Sequence, residues 1–69
     1  MTLGRFLESK RKDLNITPAQ AAALCRIPLM RWQLIEENKL PPTKAEADAI
    51  ADMLILPRSL MRCYADPDT

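Results

Sequence analysis

The chain has no histidine and no valine, one glycine, and a single residue each of tryptophan, tyrosine and phenylalanine. Without histidine, and with Cys25 and Cys63 far apart in sequence, no zinc-binding spacing exists. Two cysteines are also too few for a disulfide scaffold, so both are expected as reduced, partly buried thiols in a cytoplasmic protein. The absence of valine and the lone glycine leave few strand or hairpin signals. No apolar run follows a basic head, and none approaches the ~18 residues of a membrane span. A signal peptide and a membrane partner are therefore not expected. Catalysis finds no support either: there is no serine–base pairing, no metal cluster and no glycine-rich phosphate loop. Asp48 and Asp52 lie one turn apart as like charges on a solvent-facing surface, an unhelpful pair rather than an acid–base couple. No cofactor, metal or small-molecule substrate is implied.

What is present is aliphatic and helical. Of 69 residues, 48% are hydrophobic, mostly Leu, Ile, Ala and Met, which excludes a disordered chain. A domain this short buries only roughly 60% of its unfolded surface, so little stability is held in reserve. The net charge of +1 hides an asymmetry. Through Lys44 there are eight bases and four acids, and beyond it two bases and five acids. The basic front is compatible with nucleic acid but mild for a dedicated binder.

Capping signals divide the chain. Leu3, Phe6, Leu7 and Leu14 predict one apolar side of a first helix, closed by the basic run 10–12 and broken at Asn15. Thr17-Pro18-Ala19-Gln20 is a capping box with proline at the first helical position. It opens a short alanine-rich helix to about Cys25, and the alanines predict close packing. Pro28 ends the following turn, and a third helix is expected from about Leu29 to Glu37. Asn38 and Pro41-Pro42 end it. Thr43-Lys44-Ala45-Glu46 is a second capping box, followed by an apolar face of Ala47, Ile50, Ala51 and Leu54. Pro57 begins a last short helix holding Leu60, Met61 and Tyr64. The expected organisation is one all-α domain over 1–65 and a short flexible tail over 66–69.

A capped helix of about eight residues, a tight turn and a second short helix form a helix-turn-helix unit. From Leu3 to Met61 the chain resembles the Cro/repressor (Xre-type) helix-turn-helix family of bacterial and phage regulators. The residues that carry the resemblance are Leu7, Arg11 and Leu14 on the first helix, Thr17 as the cap of the second, and Ala22 at the helix crossing. Ile27 follows in the turn, then Trp32, Ile35 and Glu36 on the third helix. Pro42-Thr43, Ile50, Ala51, Leu54, Leu60 and Met61 complete the pattern, with Asn38 and Arg26 where the family carries glycines. The resemblance implies a compact five-helix bundle of the lambda-repressor-like type, with Arg11 and Glu36 meeting as a structural ion pair. A phosphate-facing Arg11 is the alternative.

Placing Trp32 and Ile35 inward turns Met30, Gln33, Leu34 and Glu37 outward, with Leu29 and Arg31 on the flanks, at ~100° per residue. The resemblance implies double-stranded DNA as partner, read by this third helix of a transcriptional regulator, and a homodimer as the docking form. The DNA-binding candidates are then Leu29, Met30, Gln33 and Leu34, with Lys10, Arg31, Lys39 and Lys44 for phosphates and Arg26 at the turn. The positions that read bases in the family hold Leu29, Met30 and Leu34 here, all apolar, and Pro18 stands where a phosphate-contacting glutamine is usual. An exposed apolar stripe of Leu29, Met30, Leu34 and Leu40, bordered by Glu37, equally suits a regulatory protein as partner, as in an antiactivator or adaptor.

Overall fold

Three helices of this chain begin at a threonine whose hydroxyl accepts from a first-turn amide, Thr2, Thr17 and Thr43, while the other two follow Pro28 and Pro57 with no side-chain cap. The computed structural model describes residues 2–67. Among them are five helices and no strand: α1 Leu3–Asp13, α2 Pro18–Cys25, α3 Leu29–Glu36, α4 Lys44–Leu54 and α5 Arg58–Arg62. Thr17 accepts from the Gln20 amide at 3.1 Å while the Gln20 side chain accepts from the Thr17 amide at 2.8 Å. Thr43 and Glu46 repeat the arrangement at 3.1 and 2.8 Å. Both reciprocal caps satisfy donors that helix starts otherwise leave orphaned. The ends are equally defined: Asn15, Arg26, Asn38 and Ile55 all adopt left-handed geometry, with φ between 57 and 62°. Asparagine tolerates this readily, whereas arginine and β-branched isoleucine do so against their preference.

The core is aliphatic around one aromatic. Leu7, Trp32, Ile35, Ile50 and Met61 are fully buried, with Ala21, Ala22, Ala47 and Ala51 where α2 and α4 need small side chains. α1 packs on α3, α2 on α3 and α4, and α4 on α5. Three expectations are corrected. Leu14 does not join the apolar side of α1; it is the C-cap and half exposed, because the helix stops one residue before it. Leu60 and Met61 do not close the core as a pair: Met61 is buried and Leu60 exposed, one residue being enough to face α4 from a five-residue helix. Tyr64 lies beyond α5 and is exposed. α3 ends at Glu36, with Glu37 as its cap. Of the tail expected over 66–69, the Asp66 amide donates to the Pro42 carbonyl at 2.9 Å; Asp68 and Thr69 lie outside the described residues.

The lone glycine lies where the start of α1 closely approaches the end of α3. A Cβ on Gly4 would lie 1.9 Å from the Glu36 carbonyl oxygen, 2.7 Å from its carbonyl carbon and 2.8 Å from Asn38 Nδ2. The first two are backbone and cannot rotate away. The Gly4 amide also donates to Asn38 Oδ1 at 2.8 Å, and Asn38 Nδ2 donates to Thr2 Oγ1 at 3.1 Å. One asparagine, two residues beyond α3, thus ties the end of that helix to the first turn of α1. Gly4→Ala is expected to destabilise the fold by about 3 kcal/mol, since the helices must separate to admit the methyl. Ser9→Ala, on an exposed part of the same helix, should be neutral or slightly stabilising. Urea unfolding followed by circular dichroism distinguishes the two, and a Gly4→Ala protein as stable as the parent refutes the close-approach account.

Candidate binding face on the third helix

α3 is held from both sides, and the two clamps decide which of its residues face out. On the α1 side, Arg11 Nη2 donates to Glu36 Oε1 at 2.9 Å and Arg11 Nε to Glu36 Oε2 at 3.4 Å. The same guanidinium donates to the Ile16 carbonyl at 2.9 Å, and the buried Trp32 Nε1 donates to Glu36 Oε2 at 2.5 Å. Both charged side chains are only 11% exposed. Every donor of this partly buried group that needs a partner has one, the condition under which such a pair fixes geometry rather than costing stability. Arg11 is therefore turned into the protein; the alternative in which it faces phosphate is not what the structure contains.

On the α4 side, Arg31 Nε donates to Glu46 Oε2 at 2.6 Å and Arg31 Nη2 to Glu46 Oε1 at 2.9 Å. Arg31 Nη2 also reaches the Pro41 carbonyl at 3.2 Å. This corrects the expectation that Arg31 is a phosphate contact: its fork is already occupied by a carboxylate and a carbonyl. Burial acts to raise the Glu46 pKa, but the hydrogen bonds from Arg31 and from Thr43 outweigh it and hold the carboxyl below its ordinary value. The hydrogen bond to Glu46 likewise raises Arg31.

Between the clamps, Trp32 and Ile35 point inward and are fully buried. Leu29 is partly exposed, Met30 is 77% exposed, and Gln33 and Glu37 face solvent. Gln33 makes no side-chain hydrogen bond among the described residues. Leu34 departs from expectation: it is half-buried, and its carbonyl accepts from the amides of residues 39 and 40 at 2.9 and 3.4 Å where the chain closes the end of α3. Leu40, beyond the end of α3, borders a hollow of about 360 Å³ together with Leu3, Asn38, Pro41 and Tyr64.

The expected phosphate contacts are scattered in their roles. Lys10 lies over the Phe6 ring at 5.8 Å, a cation–π placement. Lys39 pairs with Glu37 at 3.3 Å, both exposed. Arg26 sits exposed on the left-handed turn between α2 and α3 and forms no ion pair among the described residues. Lys44 is exposed at the first position of α4. Beside α3, Glu8, Pro18, Gln33, Glu36 and Glu37 border a notch of about 140 Å³. Three carboxylates line it, although Glu8 is paired with Lys12 at 2.8 Å, a hydrogen bond that lowers its pKa.

Pairings that sequence reasoning missed lie on α4. Asp48 and Asp52 are not an idle like-charge pair. Arg62 binds Asp48 through two bonds of 2.8 and 2.7 Å, and Arg58 binds Asp52 at 3.1 and 2.6 Å. Each hydrogen-bonded arginine holds its carboxyl below the ordinary value. Both cysteines are free thiols; Cys25 is buried 3.6 Å from Met53 Sδ, and burial pushes its thiol up to about 11. Among the described residues no three His, Cys, Asp or Glu side chains gather as a metal site, and no helix is long and apolar enough to cross a membrane. No family model, no curated protein and no solved structure matches this chain.

The Arg31–Glu46 clamp has a signed pH consequence. A carboxyl whose folded pKa lies below its ordinary 4.5 stabilises the fold above that pH and loses the contribution as pH falls through the folded value. Stability is thus expected to be flat from neutral pH to about 5 and to fall below it, with Glu46→Gln showing a shallower acid limb. Arg31→Ala should cost about 1–2 kcal/mol at neutral pH, moderated by solvent at its edge. Thermal melts across pH test both, and an Arg31→Ala protein with unchanged stability removes the clamp from the account.

Proposed function

We propose that the chain is a small helix-turn-helix transcriptional regulator of the Cro/repressor type that docks on duplex DNA with α3 as its recognition helix. The observation that carries this reading is the outward arc of α3. Leu29, Met30 and Gln33 project from a helix whose rotation is fixed on both flanks, beside a capped α2 that meets it through the Arg26–Pro28 turn. A rigid, protruding helix pair is the form that enters a major groove. Gln33 supplies the amide able to bond adenine, and Leu29 and Met30 supply apolar contact to thymine methyls. Arg26, Lys39, Lys44 and Lys10 remain as the cations for phosphates. Such a regulator acts on gene expression in the cytoplasm and carries out no catalysis.

A second reading has an observation of its own. With Arg31 turned to Glu46 and Glu37 and Glu8 beside the notch, the surface around Met30 is apolar and acid-bordered rather than basic. That suits a protein partner, gripped as an antiactivator or adaptor would grip a regulator.

Selection of duplexes from a random pool at low salt, followed by binding titrations at about 50 and 200 mM salt, separates the two. DNA recognition requires retained duplexes, affinity that falls as salt rises, and weaker binding by Gln33→Ala and Lys39→Ala with unchanged melting temperature. Recovery of no duplex at low salt, with Met30→Glu abolishing capture of a regulatory protein, overturns the DNA reading in favour of the protein one.

A further inference from the structure

Arg31 lies on the flank of α3 that meets the start of α4, next in sequence to the exposed Met30. Its guanidinium donates to both oxygens of Glu46, at 2.6 and 2.9 Å, and to the Pro41 carbonyl at 3.2 Å. The pair is not sealed in the core: Arg31 keeps 31% of its side chain in solvent, against 14% for Glu46. Two residues before Glu46, Lys44 is exposed at the first position of α4. Arginines and lysines so placed at the edge of a recognition helix are the side chains that contact phosphate. Carboxylate and phosphate accept the guanidinium fork in the same bidentate form, so Glu46 fills the position that a phosphate would take.

We propose that Glu46 sets how tightly the chain holds duplex DNA, by keeping Arg31 from the phosphates. The proposal rests on the reading of α3 as a DNA-recognition helix. Glu46 touches no DNA in this account; it is a positioning residue that acts through Arg31. A glutamine isolates that role, because the cap of α4 does not need the charge. In the α2 box Gln20 accepts from the Thr17 amide at 2.8 Å, as Glu46 accepts from the Thr43 amide at 2.8 Å. Glu46→Gln therefore keeps the start of α4 and leaves Arg31 only a neutral acceptor, over which a phosphate is preferred. Removing a merely structural contact weakens binding, whereas removing this one strengthens it.

Binding of a duplex from the selected pool is measured for the parent, Glu46→Gln, Arg31→Met and the double variant, from about 50 to 200 mM salt. Each protein is titrated well below its own melting temperature. Every phosphate neutralised adds about 0.9 to the slope of log affinity against log salt. Glu46→Gln is expected to bind severalfold more tightly at the lowest salt, with a slope steeper by about 0.9. Arg31→Met and the double variant should keep the parent slope. A Glu46→Gln protein with the affinity and slope of the parent overturns the proposal and leaves the DNA reading standing. So does a shallower slope for Arg31→Met, since Arg31 would then already reach DNA. Failure of the parent and all variants to bind any duplex overturns the DNA reading, and the proposal with it.

Discussion

Glu36 ties the first and third helices into one body. Its carboxylate takes two bonds from Arg11 and one from the indole of Trp32, and its backbone carbonyl faces Gly4 with no room for a methyl. Two residues on, Asn38 binds the Gly4 amide. A partly buried carboxylate with three donors contributes little net energy relative to an apolar replacement, yet it admits one arrangement of its neighbours. Because the largest core side chain donates its only N–H to this group, α3 cannot rotate about its axis without both leaving Trp32 unsatisfied and stranding Arg11. The identity of the outward residues on α3 therefore follows from a contact on its inward side.

The second clamp narrows the same arc and rearranges the charges. Arg31 belongs to the basic front of the sequence and Glu46 to the acidic rear, and their bidentate pair neutralises one of each. Arg58 and Arg62 do the same for Asp52 and Asp48. Three of the five acids in the rear half are thus matched by arginines, and the front half gives up Arg11 and Arg31 to internal pairs. The split in the sequence does not persist as an acidic face opposed to a basic one.

Helix ends and caps were legible in the sequence because their physics is local. Thr17 with Gln20, Thr43 with Glu46, and the left-handed Asn15 and Asn38 follow from residues a few positions apart. The Arg11–Glu36 pair was legible only through family resemblance, since nothing in the spacing of residues 11 and 36 points to contact. Arg31–Glu46 escaped for a different reason: Glu46 had an adequate local role as a cap, and one oxygen serves the Thr43 amide while both serve Arg31. Leu14 and Leu34 were misplaced by ideal periodicity. A helix that stops at Asp13 no longer orients residue 14, and Leu34 is half-buried in the last turn of α3, just before the chain reverses at the left-handed Asn38, where an ideal helical wheel would expose it. Gly4 carried a signal in hindsight, as the only glycine of the chain placed inside a helix, where its propensity is poor.

On the DNA reading, the composition of the α3 arc restricts which bases it can serve. Gln33 is its one outward neutral amide, with donor and acceptor arranged for the N6 and N7 edge of adenine. Leu29 and Met30 offer only contact, which a thymine methyl rewards and which a guanine or cytosine edge does not. Setting Met30 against G·C would strip water from base-edge groups and return no hydrogen bond, a cost of the order of 1–3 kcal/mol for each group left unpaired. Discrimination would then come mainly from rejection of G·C rather than from strong bonds to A·T, since the arginine that elsewhere reads guanine is here committed to Glu46. The inward use of Arg31 thus links stability to selectivity: the same contact that fixes α3 on α4 removes the side chain best suited to bidentate guanine recognition.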